Sequence, residues 1–252
     1  MGANWIVWLG CLLLSRDALR AYTTRMYLVS NLAIWLIAIV CGIIAESLAV
    51  THIFGISTYV ASFGGKPEIW LSRFFEPAVS LTALTAWLWL RGEDWHSLGL
   101  RKPTSWRRFA TQIILTVLVV QAVIWTFIFA IASPFHFHIA PLPDIRDRNT
   151  LAAALAFTLL GTGLNQELLF RGFLLNRLAK AFGGAWRGAI VASSIVFGLF
   201  HLPLGAANAV EAGLAGVFLG EMYLRAEKNL WVVVVAHSVL DAIGLMYGYW
   251  SY

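Results

Sequence analysis

Charge is scarce in this sequence. Asp, Glu, Lys and Arg make up 12% of its 252 residues, while hydrophobic residues make up 60%. A soluble domain carries about 25% charge. This chain has too little to clothe a water-facing surface, so most of it belongs in lipid. The two cysteines, Cys11 and Cys41, lie in apolar stretches and give no disulfide signal. The apolar "NWIVWLGCLLL" at 4–14 has no basic residue before it and no small-residue cleavage site after it, which excludes a signal peptide. It is also shorter than the roughly 20 residues a span needs, and reads as an interfacial or half-inserted helix. Repeats, low-complexity tracts, long linkers and room for a soluble domain are all missing. There is no HExxH zinc pattern and no serine paired with an obvious base. The net charge of +5 marks cytoplasmic loops of a membrane protein, so no nucleic-acid partner is expected.

Long apolar runs are what the sequence has instead. Segments near 28–50, 71–90, 109–132, 151–180, 187–203, 209–224 and 230–248 are apolar enough to cross a bilayer. The expected fold is all-α, a polytopic membrane helix bundle of about seven spans, or eight if 4–14 also crosses. The twelve tryptophans suit the two membrane interfaces. Arg16, Arg20 and Arg25, then Arg91, Arg101, Lys102, Arg107 and Arg108, then Arg177, Lys180 and Arg187, then Arg225 and Lys228 fall in alternate connections. They outnumber Lys66, Arg73, Arg146 and Arg148 on the other side. The positive-inside rule then puts the N-terminus in the cytoplasm and the C-terminus outside. The expected division is an interfacial segment at 1–27, an accessory membrane region at 28–150 and a catalytic bundle at 151–252.

Ionisable groups in hydrocarbon cost about 2.5–3.5 kcal/mol each, so they usually face the protein interior and mark function. The stretch "GLNQELLFRGFLLNRL" carries Gln166, Glu167 and Arg171. Glu167 and Arg171 are four apart and share a helical face, which suits either a locking ion pair or a site. The fifth span ends in "FGLFHLP", with His201 four residues after Phe197. The seventh carries "HSVLD", with His237 four residues before Asp241. Together these groups can form one wet cavity on which Gln166, His201, His237 and Asp241 converge. Their chemistry suits water activation with nearby oxyanion donors, hence peptide hydrolysis. Depth fits imperfectly: on a regular α-helix Gln166 and His201 lie roughly 21 Å from the basic end and His237 about 10 Å.

"QELLFRG", "FGLFH" and "HSVLD" resemble the three motifs of the CAAX protease and bacteriocin-processing family, whose patterns are EExxxR, FxxxH and Hxxx(N/D). The resemblance covers about 150–248, and "LGLRKP" before it is similar to a stretch of bacterial members. It implies an intramembrane endopeptidase in a bacterial cytoplasmic membrane, acting on a membrane-tethered protein or peptide. By resemblance, residue 166 holds the general base, His201 positions the water, His237 and Asp241 support the oxyanion, and Glu167 with Arg171 holds the site together. No cofactor is expected, although the family has been described both as metal-dependent and as glutamate-dependent. A divalent metal at His201, His237 and Asp241 therefore stays open.

The departure is Gln166, because an amide cannot accept a proton. It marks an engineered inactive enzyme, a variant with another base, or a member that binds without cutting. A non-catalytic scaffold is the alternative function, with a transporter behind it. Other polar residues carry two readings each. Glu46, Glu211 and Glu221 either line the cavity or bond between helices. His136 and His138, with Asp144 nearby, form either an ordinary loop pair or a surface metal site. "TSWRRF" reads as an interfacial anchor.

Overall fold

The computed structural model describes residues 16–55, 65–137, 143 and 145–250, with side chains from residue 24 onward. The 4–14 stretch, Cys11, His138 and Asp144 lie outside the described residues. All described secondary structure is helical, in seven helices and two short 3₁₀ helices, Trp95–Leu98 and Leu202–Leu204. Helix α1 (Arg16–Leu48) ends in a π turn (Ala49–Ile53). Helix α2 is kinked at Phe74, between Pro67–Arg73 and Phe75–Leu90. Helix α3 (Trp106–Phe127) also ends in a π turn (Ile128–Ala132). Helix α4, residues 148–181, runs through four differently wound segments. It is followed by α5 (Trp186–Phe200), α6 (Ala206–Arg225) and α7 (Leu230–Trp250).

Local chemistry sets these limits. Asp147 caps α4, its Oδ1 accepting the N–H groups of Asn149 and Thr150 at 2.9 Å each. Helix α5 stops at Phe200, three residues before Pro203, which can neither donate nor continue an α-helix. The helix of the first span starts at Arg16 and has no break at residue 27.

Helix α4 lies at the centre. All eight residues of its Leu168–Leu175 segment are buried, as expected of a helix apolar on every side. Phe170 packs edge-on against Trp35, Phe197 and Phe200, with ring centroids 5.3, 4.8 and 5.6 Å away. Among the described residues, three stretches are long and apolar enough to cross a membrane: Thr24–Ile53, Trp106–Ala132 and Leu230–Trp250. Helix α5 is a shorter apolar helix. Between helices in lipid, close packing and hydrogen bonds replace hydrophobic burial as the cause of association. Gly163 shows this: a Cβ there would stand 2.0 Å from Ser238 Oγ, so only glycine lets α4 and α7 approach.

Contacts between helices draw several basic residues together. Arg177 bonds Tyr27 Oη at 3.0 Å and pairs with Glu93. Arg108 pairs with Glu227 at 2.8 Å, and Gln112 donates to the Arg225 carbonyl. Glu46 and Arg73 meet 3.8 Å apart.

Candidate active site

The polar residues of α4 sit on a π-wound backbone. Thr158–Gln166 and Leu168–Leu175 are both π-helical, with Glu167 between them. Such winding is rare, occurs mostly as single turns, and is frequent at functional sites. Switching between α and π winding interrupts the hydrogen-bond ladder, and released carbonyls need donors. Neighbouring side chains supply them. Trp35 Nε1 donates to Leu169 O at 3.0 Å, and Ser238 Oγ donates to Thr158 O at 3.1 Å. Asn176 Nδ2 donates to the carbonyls of Arg171 and Gly172 at 3.0 and 2.7 Å.

Glu167 is the centre of the cluster and fully buried. Its Oε1 accepts from Arg171 Nη1 at 3.0 Å and from His237 Nδ1 at 2.7 Å. The Arg171 guanidinium also reaches Gly216 O through Nη2 at 3.4 Å, and lies 4.3 Å from the Phe197 ring centroid. The i,i+4 pair expected along α4 is thus one side of a three-way clamp that includes α7. A carboxylate in this clamp only accepts, so His237 carries a proton on Nδ1 and turns Nε2 away. Nε2 stands 3.8 Å from Asp241 Oδ1, too far for a hydrogen bond.

His201 reaches the same centre from α5. Its Nδ1 donates to Phe197 O at 2.8 Å, which leaves Nε2 as the acceptor of a neutral ring. Phe197 is the hub: its ring lies 4.6 Å from the His201 ring and 6.1 Å from that of His237. His201 is within electrostatic reach of His237, Asp241 and Arg171. The structure therefore brings together Glu167, Arg171, His201, His237 and Asp241. Gln166 adjoins them along the chain, with no hydrogen bond to any of them. Its Oε1 and Glu167 Oε2 are both buried without a protein partner. The depth mismatch expected from a regular α-helix is bridged by the Glu167–His237 contact. A π-helix packs more residues into each turn and rises less per residue, so residue 167 stands nearer the basic end than an α-helical count implies.

A second buried polar group went unread in the sequence. Asn165 Nδ2 donates to both carboxylate oxygens of Glu76, at 2.9 and 3.0 Å, and Ser80 Oγ donates to Asn165 Oδ1 at 2.9 Å. The signal was present as a glutamate inside the second apolar run and an asparagine beside Gln166. Glu46 forms an ion pair with Arg73 of another helix at 3.8 Å, and Glu221 pairs with Arg225 on its own helix at 2.9 Å. Glu211 lies within electrostatic reach of Asp241, beside the cluster. His136 is exposed with φ of 54°, and its expected companions lie outside the described residues. Among the described residues no three His, Cys, Asp or Glu side chains are arranged to hold a metal ion. His201 and His237 each commit Nδ1 to a protein acceptor, which leaves both Nε2 atoms free to ligate.

Fold and cluster together define a class: an all-α bundle of membrane-type helices with a charged centre held between α4, α5 and α7. Within it, residues 148–243 are a domain of the Rce1-like type II CAAX prenyl endopeptidase family, a family of peptidases. The match begins at the first residue of α4 and ends inside α7, so it takes in the whole cluster. No curated protein and no solved structure matches the chain.

Proposed function

We propose that this chain is an intramembrane endopeptidase of seven spans, basic end in the cytoplasm, with its centre at residue 166, Glu167, Arg171, His201, His237 and Asp241. One observation carries the reading: three helices of a peptidase-family domain converge on Glu167 and Phe197, with two imidazole Nε2 atoms uncommitted to backbone or to Glu167. Water is held between residue 166 and His201 Nε2; with a carboxylate at 166 it gives its proton there as it attacks the scissile carbonyl, and that proton passes to the leaving nitrogen as the C–N bond breaks. His237, oriented by Glu167 and carrying a second proton on Nε2 in the field of Asp241, donates Nε2–H to the oxyanion. Arg171 neutralises Glu167 and fixes its carboxylate.

As written, the base position is an amide. Gln166 can hold water but cannot take its proton, so turnover falls by the roughly 10²–10⁴-fold that general-base catalysis supplies. That same residue favours a second reading, a non-catalytic member that binds membrane-tethered polypeptides without cutting them. The substrate is a polypeptide held in the membrane, since the cluster is buried inside a bundle of membrane-type helices. Mass spectrometry of membrane proteins from cells expressing the Gln166→Glu form, against cells without it, tests the reading. New C-termini in membrane-tethered proteins are expected. Cleavage confined to freely soluble proteins would contradict it.

A further inference from the structure

The basic end of the bundle holds a cavity that this chemistry does not use. It measures about 90 Å³ and is lined by Arg101, Lys102, Ser105, Arg108, Gln112 and Asn229, among others. That is room for several waters. Two pinned loops build it. Leu230 N–H donates to Gly99 O at 2.9 Å. Gly99 has φ of +97°, and a Cβ there would stand 2.4 Å from Lys228 O, so only glycine fits. Gln112 and Arg108 tie α3 to the α6–α7 turn through Arg225 O and Glu227.

The charge around the cavity is unbalanced. Arg108 is matched by Glu227, but Arg101 and Lys102 have no carboxylate partner among the described residues. Burial, and then the nearby Arg101 cation, hold the Lys228 ammonium below its ordinary value. Trp106 stands beside the cavity and is 73% exposed, the place an indole takes at headgroup level. Leu115 and Val119, two and three turns along α3 on the Arg108 side, are exposed too. A free anion would need the cations alone. An apolar wall that begins just below them matches a ligand with an anionic head and hydrocarbon tails.

We propose that this cavity binds the phosphate group of an anionic membrane lipid, whose chains run down the Leu115 and Val119 side of α3. The proposal rests on reading α3 as a membrane span, and is independent of peptidase activity. Detergent-purified full chain is titrated with phosphatidylglycerol, phosphatidylcholine and inorganic phosphate, reading the thermal midpoint and the lipid retained in native mass spectrometry. Phosphatidylglycerol alone should be retained and raise the midpoint. Each basic residue near an anionic surface contributes about fivefold in affinity, so Arg101→Gln with Lys102→Gln should weaken binding about 30-fold. Arg101→Gln alone should weaken it about fivefold, which covers a double variant that does not fold. Arg107→Gln, outside the lining, should bind like the parent. Equal retention of phosphatidylcholine, unchanged binding by the Arg101→Gln variant, or a full effect from inorganic phosphate would each overturn the proposal.

Discussion

At the scale of single residues, the cluster separates two adjacent positions that look alike in sequence. Glu167 is a structural hinge of charge: it holds Arg171 and His237 at once, from full burial. Removing one partner of a buried charge pair costs about 3–5 kcal/mol, because the other charge is left unpaired. Glu167→Ala should therefore lower thermal stability by that order, read as a fall in the midpoint of the detergent-solubilised protein. A midpoint close to the parent's would show that the clamp is not holding the bundle. Gln166 makes no such bonds, and Gln166→Glu keeps its volume, so its effect belongs on turnover rather than on folding. These residues were legible from sequence because polar groups stand out in an apolar run. The sharing of Glu167 between Arg171 and His237 was not legible, since which of two neighbouring side chains meets α7 depends on how α4 is wound.

At the scale of elements, α4 carries the least legible feature of the fold. Its apolar pattern is the same for α and π winding when every face is buried, so the pattern does not distinguish them. The bonds from Trp35 and Ser238 to α4 carbonyls come from residues whose partners only packing reveals. The Glu76–Asn165 bond is hidden for the same reason. Close approach of α4 and α7 at Gly163 gives a prediction. Gly163→Ala pushes its Cβ against Ser238 Oγ and should destabilise by about 1–3 kcal/mol, as overpacking does. Adding Ser238→Ala should recover part of that loss, and an additive double variant would refute the contact. The start of α4 gives another. The Thr150 hydroxyl, with the Thr150 and Asn149 N–H groups, holds the Asp147 carboxyl below its ordinary range. A depressed pKa means stability present above the unfolded value of about 3.9 and lost as pH falls through the folded one. Asp147→Asn should thus cost stability at neutral pH and progressively less below about pH 4. A gap unchanged with pH would show that the carboxylate's charge is not what the cap uses.

At the scale of the whole molecule, helix order and loop charge give one account of how the chain sits. Among the described residues, contacts at Tyr27, Arg177, Arg108 and Glu227 draw several basic residues together. Single cysteines introduced at Ser105 and at Ser133, in a background lacking Cys11 and Cys41, should label from opposite sides of intact cells. Ser133 should react with a membrane-impermeant reagent, and Ser105 only after the membrane is opened. Labelling of both from outside would refute the bundle's orientation. The central claim is that this bundle carries a peptidase centre whose base position holds the wrong side chain. Its most direct measurement is turnover of one membrane-tethered substrate by the chain as written and by Gln166→Glu, at matched protein and lipid. The account predicts that the glutamate form is faster by about 10²–10⁴, equivalent to roughly 3–5 kcal/mol of barrier, with little change in thermal midpoint. Equal rates in the two proteins would contradict it, and would show that position 166 is not where the proton goes.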